Sequence, residues 1–386
     1  MATQSGEKRN IAISLPSTGE EEWHAVREPI ESGWLTQGPK VNEFEKQFAQ
    51  KHNAKYGIAT TSCTTGLHLI LAAMGIGPGD EVIVPAFTWV ATANVVLYCG
   101  ATPVFVDVDV KTNNIDPAKL AEKVNANTKA VIAVHLFGLC ADIDAIRQAV
   151  PANVKIIEDA ACAAGASYKG NMAGSLADAA AFSFHPRKSI TTGEGGMVTT
   201  NDDALAEMMI KLRNHGAEIS EEQRHNGPKP YLLPDFNLLG FNYRMTDLQG
   251  AVGLVQLSKF DGFFEERQKW AQFYIEQLAD IEWISPPDVG EDFVHAWQAF
   301  VLYIDAEKAP LPRNSIMEIL QEKGISTRPG THAVHMLNYY ADRYELKPED
   351  YPMSKLCNDQ TMAIPLHNRM SKEDYEYIVQ QLKLIR

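Results

Sequence analysis

One lysine stands where an apolar segment gives way to a glycine-rich turn, in the stretch FSFHPRKSITTGEGG of residues 182–196. A lone lysine after a strand is most often a solvated surface charge. A partly desolvated lysine is a better nucleophile, however, because burial favours the neutral amine. The placement of Lys188 therefore suggests covalent chemistry with an aldehyde.

Other groups that could hold a cofactor follow apolar segments of the chain. Asp159 ends one predicted strand, and Trp89 follows another. Small hydroxyl residues from Ser62 to Thr65 begin a predicted helix, where free N–H groups and the helix dipole suit a phosphate. With Lys188 they form a set that suits pyridoxal 5′-phosphate (PLP): an amine for the aldehyde, a carboxylate for the ring nitrogen, an aromatic cover and a phosphate site.

Each of these features is weak by itself. Ser or Thr at a helix start is ordinary capping, Asp after a strand is commonly a turn former, and a single Trp is more often part of a core. The glycines form no GxGxxG fingerprint, and no GKT sequence is present, so neither a dinucleotide site nor a Walker loop is predicted. What favours the cofactor site is the order in which the lysine, the aspartate, the tryptophan and the hydroxyl residues follow one another along one α/β chain.

The elements that must position these residues alternate between strand and helix from about residue 55 to residue 215. Short segments rich in Val and Ile occupy residues 81–85, 102–109, 129–138 and 154–161, with amphipathic helical patterns between them. This alternation predicts a mostly parallel sheet with helices on both faces. Ligands of such sheets bind beyond the carboxyl ends of the strands, which is where the polar residues occur.

A second, smaller domain is predicted in the last third of the chain. A chain of 386 residues, 45% of them hydrophobic, is larger than one core usually organises. The patterns indicate a long helical stretch at residues 240–278, a strand at 296–305, and helices at 315–325 and 372–385. We therefore divide the chain into a large domain with an N-terminal arm, residues 1–259, and a small domain, residues 260–386.

Composition argues against several classes of partner. The net charge is −14 with no block of Lys or Arg, which disfavours nucleic acid and anionic membranes. The five cysteines form no CxxC pair, which predicts a reduced, cytoplasmic protein without a structural metal site. The first ten residues are polar and no apolar run reaches about 18 residues, so we expect neither a signal peptide nor a membrane span.

The sequence resembles the DegT/DnrJ/EryC1/StrS family of PLP-dependent sugar aminotransferases, which belong to the fold type I (aspartate aminotransferase) superfamily. The resemblance begins at WLTQGPKVNEFEKQFA, residues 34–49, and ends at IPLHNRMSKEDYEYIV, residues 364–379. Its most specific part is the FSFHPxKxITTGEGG stretch. It implies an α/β fold with a mostly parallel seven-stranded central sheet flanked by helices, and a smaller α/β C-terminal domain.

The resemblance implies a role for each cofactor residue. Lys188 matches the lysine that forms a Schiff base with PLP. Asp159 matches the partner of the pyridine nitrogen, and Trp89 matches the aromatic residue that stacks on the ring. Thr64 and Ser183 match contacts with the phosphate.

Three further cofactor positions carry particular expectations. Asn242 matches an asparagine that reaches the phosphate of the neighbouring subunit, which implies a homodimer with shared active sites. The family often has Gly at position 63, where this chain has Cys63, so its phosphate loop is expected to differ slightly. It often has Gln or His at position 162, beside the ring hydroxyl of the cofactor. Cys162 is a poorer hydrogen-bond donor, so we expect a changed contact there.

The resemblance also implies the reaction. L-Glutamate is the expected amino donor, and a keto or aldehyde sugar is the acceptor, in amino-sugar biosynthesis for surface polysaccharide or lipopolysaccharide. A nucleotide-linked keto-deoxyhexose is the first candidate, and an acidic free sugar such as an oxidised 3-deoxy-octulosonate is the second. Candidate substrate contacts are His185, Arg328, His332 and His335, of which Arg328 could make a forked contact with a carboxylate or a phosphate.

Two functions of another class stay open. Some relatives have His in place of the lysine and are PLP-dependent sugar dehydratases, so Lys188 favours transamination over dehydration. The other alternative is a non-catalytic regulator or binding protein with the same fold, which the loss of PLP binding would indicate.

Overall fold

The computed structural model describes residues 9–219, 227–229 and 231–385, so the start of the predicted N-terminal arm, residues 1–8, lies outside the described residues. The β-strands are β1 Tyr56–Thr60, β2 Glu81–Pro85, β3 Phe87–Thr88, β4 Thr102–Val106, β5 Thr128–Val134, β6 Lys155–Asp159, β7 Ser167–Tyr168, β8 Asn171–Met172, β9 Ala179–Ser183, β10 Gly196–Thr200, β11 Ile284–Ser285, β12 Phe293–Val294, β13 Phe300–Ile304, β14 Arg328–Pro329, β15 His332–Ala333 and β16 Thr361–Ile364. The α-helices are α1 Glu20–Ala25, α2 Arg27–Ser32, α3 Pro39–Lys51, α4 Cys63–Ala73, α5 Ala91–Tyr98, α6 Pro117–Leu120, α7 Ile143–Ala149, α8 Asp203–Arg213, α9 Asp247–Ser258, α10 Phe260–Leu278, α11 Arg313–Glu322, α12 Asn338–Tyr344, α13 Pro352–Gln360 and α14 Lys372–Leu384.

A seven-stranded sheet forms the centre of the larger part of the molecule. Its strand order is β1-β10-β9-β6-β5-β2-β4. Strand β10 pairs antiparallel with both β1 and β9, and the other neighbours pair in parallel. The prediction of a mostly parallel seven-stranded sheet is therefore confirmed.

Helices cover both faces of this sheet. Along β2, Val82 and Val84 pack in one buried cluster with Leu67 of α4, whereas Ile83 packs in another with Ile146 of α7. Because each face is buried, successive residues of the strand are all apolar, which is why the strands read as continuous Val and Ile runs in the sequence.

A second core surrounds a smaller antiparallel sheet of order β11-β13-β16-β14. Its buried residues include Trp270 of α10, Phe300 of β13 and Ile378 of α14. The helix predicted over residues 240–278 begins only at Asp247, because Thr246 caps it by accepting a hydrogen bond from the Gln249 amide. It is also divided into α9 and α10 at Lys259.

Part of the C-terminal region returns to the larger core. Strand β15 pairs with β3, which places His332 opposite Thr88. Val334 and Tyr340 then join the buried cluster that contains α4 and β2. The boundary between the two domains at residues 259 and 260 remains our proposal. The returning segment brings residues of the proposed C-terminal domain to the edge of the central sheet.

No helix in the described part of the chain combines the length and the hydropathy needed to cross a membrane.

Candidate active site

A cavity of about 590 Å³ lies beyond the carboxyl ends of the central strands. The residues that follow β1, β2, β5, β6 and β9 all contribute to its wall. The segment around β14 and β15 supplies the opposite side. Most of the residues predicted from the sequence therefore meet in one place, as the topology of a parallel sheet requires.

Lys188 is half-buried in this cavity, in a compact loop between β9 and β10. The backbone N–H of Lys188 donates to the His185 carbonyl at 2.8 Å, and Gly193 and Gly195 have φ of 85° and 154°. Only glycine adopts such φ values readily, so the GEGG sequence is what allows the chain to turn back into β10.

The Lys188 amine donates to the Cys162 sulfur at 3.1 Å. Desolvation lowers the pKa of Lys188, but the two nearby thiols, Cys162 and Cys63, and the Asp159 carboxylate raise it, and the net pKa lies above its usual value. The free amine is thus a cation here and must lose a proton before it can act as a nucleophile. The sequence did not indicate this contact between Cys162 and Lys188. The changed contact expected beside the ring hydroxyl of the cofactor stays a prediction.

Asp159 places a buried carboxylate at the end of β6. Its Oδ2 accepts a hydrogen bond from the Thr92 hydroxyl at 2.8 Å, and its Oδ1 accepts from the Ala161 amide at 3.3 Å. Burial raises the pKa of Asp159, although these hydrogen bonds and the charge of Lys188 oppose the shift. A buried carboxylate with few partners is suited to a cationic N–H of a ligand.

Thr92 is a residue that reasoning from the sequence missed. It is fully buried in α5, and its hydroxyl also lies 3.1 Å from that of Thr88. The available signal was the pair Thr88 and Thr92, two hydroxyl residues four positions apart beside the start of a mostly apolar helix. The Thr92 hydroxyl orients the Asp159 carboxylate, and the Thr88 hydroxyl contacts Thr92 in turn.

The N-terminus of α4, where the sequence predicts a phosphate site, opens onto the cavity. Ser62 caps the helix by accepting from the Thr65 amide at 3.1 Å, and the Cys63 and Thr64 amides have no hydrogen-bond acceptor within the described residues. The Cys63 thiol donates to the Ala181 carbonyl at 3.4 Å and lies 3.9 Å from Asp159 Oδ1. Ser183, at the end of β9, also lines the cavity, as predicted.

Trp89 stands over the cavity with 58% of its surface exposed. The His332 ring meets its edge at 5.6 Å between centroids. Because so much of the indole is exposed and Trp89 lines the cavity, its ring is available to a flat aromatic ligand there.

Basic side chains surround the outer part of the cavity. His185, His332 and Arg328 of β14 line it, and the predicted contacts of these three residues with substrate stay predictions. Arg187, which the sequence did not single out, lines it as well. Desolvation, followed by repulsion from neighbouring cations, lowers the pKa of His185 despite the attraction of Glu194.

Two predicted residues lie elsewhere. His335 is fully buried, with its Nε2 3.4 Å from the Pro348 carbonyl oxygen and its ring against Tyr351. The prediction that it contacts substrate is wrong, because it lies in the 3₁₀ turn after β15 and faces the core. Asn242 is exposed, pairs with Asn214 through the backbone and does not line the cavity of its own chain. Its predicted reach into a neighbouring subunit stays a prediction.

The residues of the cavity fit PLP. The free amides at the start of α4 suit its phosphate, the buried Asp159 carboxylate suits its ring nitrogen, and the exposed Trp89 face suits its ring. Lys188 is the one lysine among the residues that line this cavity, and its amine points inward to Cys162.

Fold and site together define a fold type I, PLP-dependent aminotransferase. A model of the DegT/DnrJ/EryC1/StrS aminotransferase family matches residues 16–383. The chain belongs to this family of PLP-dependent sugar aminotransferases.

Similar proteins cover almost the whole chain. It is 41% identical over 382 residues to the spore coat polysaccharide biosynthesis protein SpsC of Bacillus subtilis, covering 98% of both chains. It is 39% identical over 375 residues to the GDP-perosamine synthase of Caulobacter vibrioides, covering 96% of this chain and 97% of that one. Among solved structures, the PLP form of the putative sugar aminotransferase Spr1654 from Streptococcus pneumoniae superposes with a TM-score of 0.90 at 29% identity, covering 97% of this chain and 98% of that one.

Proposed function

We propose that this enzyme transfers the amino group of L-glutamate to a keto or aldehyde sugar, with a nucleotide-linked keto-deoxyhexose as the first candidate. The product is an amino sugar for surface polysaccharide or lipopolysaccharide. The observation that carries the proposal is the meeting of Lys188 and the buried Asp159 in one cavity at the carboxyl ends of the strands. The names of two relatives, a GDP-perosamine synthase and a spore coat polysaccharide protein, support the sugar and its use.

Bound PLP supplies an electron sink that stabilises negative charge on the substrate carbon next to the transferred nitrogen. The protein supplies the binding and the proton transfers. Asp159 binds the ring nitrogen and keeps it protonated, and Thr92 holds that carboxylate in place. The amides of Cys63 and Thr64 bind the phosphate, and the Trp89 indole covers the ring.

Lys188 has two tasks in this scheme. Its amine would hold the cofactor between turnovers, and as a free amine it would carry a proton from the donor's α-carbon. The amine must be neutral for the second task, and the neighbours Cys162, Cys63 and Asp159 favour its cationic form in the free protein. A ligand cation paired with Asp159 would offset one of these contributions and so lower the pKa of Lys188.

A homodimer with shared sites is part of the proposal. Exposed hydrophobic side chains precede Asn242 closely, namely Tyr231, Leu232, Leu233, Phe236 and Leu239. Such a patch on a free surface favours coverage by another chain, and a second copy would bring Asn242 to the partner's phosphate site. Mixing Lys188→Ala and Asn242→Ala chains tests this, because only the mixed dimer has one site with both residues intact. Recovery of activity after mixing supports the shared site, and the absence of recovery argues against it.

The central experiment compares Lys188→Ala and Lys188→Arg with the wild-type enzyme and a surface control, Lys211→Ala, whose lysine pairs with Glu207. Wild-type and control proteins should show an absorbance band above 400 nm, lost on borohydride reduction with labelling of Lys188. Transfer of ¹⁵N from labelled glutamate to keto sugars, followed by mass spectrometry, should be absent in both Lys188 variants. Amination by Lys188→Ala at the wild-type rate would refute the assignment.

The same mass spectra separate the alternative chemistry. A dehydratase yields a product that loses a hydroxyl without gaining nitrogen. Nucleotide-linked and free acidic keto sugars are assayed in parallel, so that the acceptor class is decided by which of them gains ¹⁵N.

A further inference from the structure

The contact between Cys162 and Lys188 has no part in amino transfer as proposed above. The Lys188 amine donates to the Cys162 sulfur at 3.1 Å, and both residues lie in the cavity wall. The sulfur therefore lies against the nitrogen that must stay free to bond to PLP. A thiol in contact with an amine allows chemistry that neither group has alone, because a nitrogen close to an oxidised sulfur can bond to it.

Cys162 is also well placed to meet an oxidant that enters the cavity. It is only half-buried, whereas Cys63, Cys140 and Cys357 are buried. Burial raises the pKa of those three thiols, to about 12 for Cys357, and peroxides oxidise the thiolate rather than the thiol. The exposed side chain of Trp89 lines the same cavity, which leaves it open to a molecule as small as hydrogen peroxide.

Cys99 gives a comparison within the same chain. It is half-buried like Cys162, but it does not line the cavity. Burial raises the pKa of Cys99 to about 11, which lowers its thiolate fraction near neutral pH about 100-fold relative to an ordinary thiol. Cys162 differs from Cys99 in its place in the cavity wall and in its contact with the Lys188 amine.

We propose that Cys162 is an oxidation site for hydroperoxides, and that its oxidised sulfur bonds to the Lys188 nitrogen as a reversible cross-link. Hydrogen peroxide oxidises the thiol by two electrons to a sulfenic acid and is itself reduced to water. The Lys188 nitrogen then attacks the sulfur, so that the S–O bond breaks and an S–N bond forms. The ammonium group gives up two protons, one to the departing hydroxyl, which leaves as water, and one to solvent. The product is a sulfenamide.

The cross-link stops the enzyme in a form that thiols can restore. A Lys188 nitrogen bonded to sulfur cannot bond to PLP, whichever sugar and amino donor the enzyme uses. One thiol molecule displaces the nitrogen and forms a mixed disulfide with Cys162, and a second releases the Cys162 thiol as the disulfide of the reductant forms. The S–N bond also protects the sulfur from oxidation to the sulfinic and sulfonic acids, which thiols do not reverse.

The test treats the full-length protein with hydrogen peroxide, with and without bound PLP, and then digests it without reductant for mass spectrometry. In the PLP-free protein we expect the Cys162 and Lys188 peptides to be joined, with the loss of two hydrogen atoms. Dithiothreitol should separate them, and added PLP should then give the absorbance band above 400 nm. PLP at about ten times its Kd leaves about one site in ten open, so it should slow the cross-linking roughly tenfold.

Three variants separate the cross-link from other oxidation. Cys99→Ser is the matched control, because it removes the other half-buried thiol from outside the cavity wall, and it should cross-link like the wild-type protein. Cys162→Ser should form no cross-link, and peroxide should leave its own PLP band unchanged. In Lys188→Ala, Cys162 should proceed to the sulfinic and sulfonic acids, because no amine traps the sulfenic acid.

Three results would overturn the inference. The first is Cys162 recovered as a sulfinic acid in the wild-type protein while Lys188 stays unmodified. The second is an unmodified Cys162 at a peroxide concentration that oxidises Cys99. The third is a disulfide between Cys162 and Cys63 in place of the S–N bond.

Discussion

Replacing Thr92 with valine tests whether a buried hydroxyl holds the Asp159 carboxylate in position. The two side chains have nearly the same shape, so the substitution chiefly removes the 2.8 Å hydrogen bond from the Thr92 hydroxyl to Asp159 Oδ2. It also deprives the Thr88 hydroxyl of its neighbour at 3.1 Å. Both threonines are almost fully buried, so water is poorly placed to replace either contact.

The magnitude follows from the charge and the burial of the acceptor. A hydrogen bond to a charged group contributes about 1.5–3 kcal/mol, and the Thr88 hydroxyl adds about 1 kcal/mol when it loses its partner. Part of this loss is recovered if Asp159 takes up a proton, because burial already raises the pKa of that carboxyl. We therefore expect the apo protein to lose about 2 kcal/mol of unfolding free energy.

The substitution should weaken PLP binding by more than the small change in side-chain shape would. A protonated Asp159 cannot attract the ring N–H⁺, so we expect PLP affinity to fall roughly tenfold or more. Urea unfolding of the apo protein and titration with PLP measure the two quantities. Thr92→Ser is the control, since it keeps the hydroxyl and loses one methyl group, about 0.8 kcal/mol. Equal PLP affinities for the valine and serine variants would refute the role of the hydroxyl.

Three further predictions concern the surroundings of the site. Burial lowers the pKa of His52 from 6.5 to about 4, so below pH 6.5 the unfolded chain binds a proton that the folded chain does not. The contribution of His52 to the free energy of unfolding should be complete above pH 6.5 and fall by about 2 kcal/mol by pH 5. In urea unfolding, the stability of His52→Gln should depend less on pH than that of the wild-type protein. Glu158→Gln should lower the free energy of unfolding by about 3 kcal/mol in the same assay, because the Glu158 carboxylate accepts hydrogen bonds from His135 at 2.8 Å and from three backbone amides. A loss under about 0.5 kcal/mol would contradict this. Gly196→Ala should destabilise the fold and weaken PLP binding, because the added Cβ would lie 2.6 Å from the Cys63 nitrogen. Gly262→Ala is the contrasting case: open space surrounds this position in α10, so the substitution should stabilise the protein by about 0.5–1 kcal/mol in thermal unfolding.

The cofactor half of the site could be predicted because local sequence encodes it. Parallel strands buried on both faces read as apolar runs, and the residues after them must meet at one edge of the sheet. Lys188, Asp159, Trp89 and Thr64 therefore came together from strand ends that the sequence locates. The glycines after Lys188 supplied the turn that a strand pattern alone could not show.

The substrate half was harder to predict because its elements are too short to leave a pattern. Strands β14 and β15 have two residues each, so no periodicity distinguishes the inward from the outward side chains. His332 and His335 illustrate this, since the first meets Trp89 and the second is buried against Tyr351. The proximity of Arg187 and Arg328 depends on how this segment packs back on the larger core, which one sequence does not specify.

These two halves have different structural origins, and this has a consequence for specificity. The groups proposed to bind PLP lie at the ends of the central strands, so we expect changes to them to affect both stability and chemistry. The outer wall includes the short strands β14 and β15 and the loop that carries Arg187. Substitutions there leave the contacts of Asp159, Thr92 and Lys188 in place. We therefore expect changes at this wall to alter which substrate the cavity accepts while PLP binding is retained.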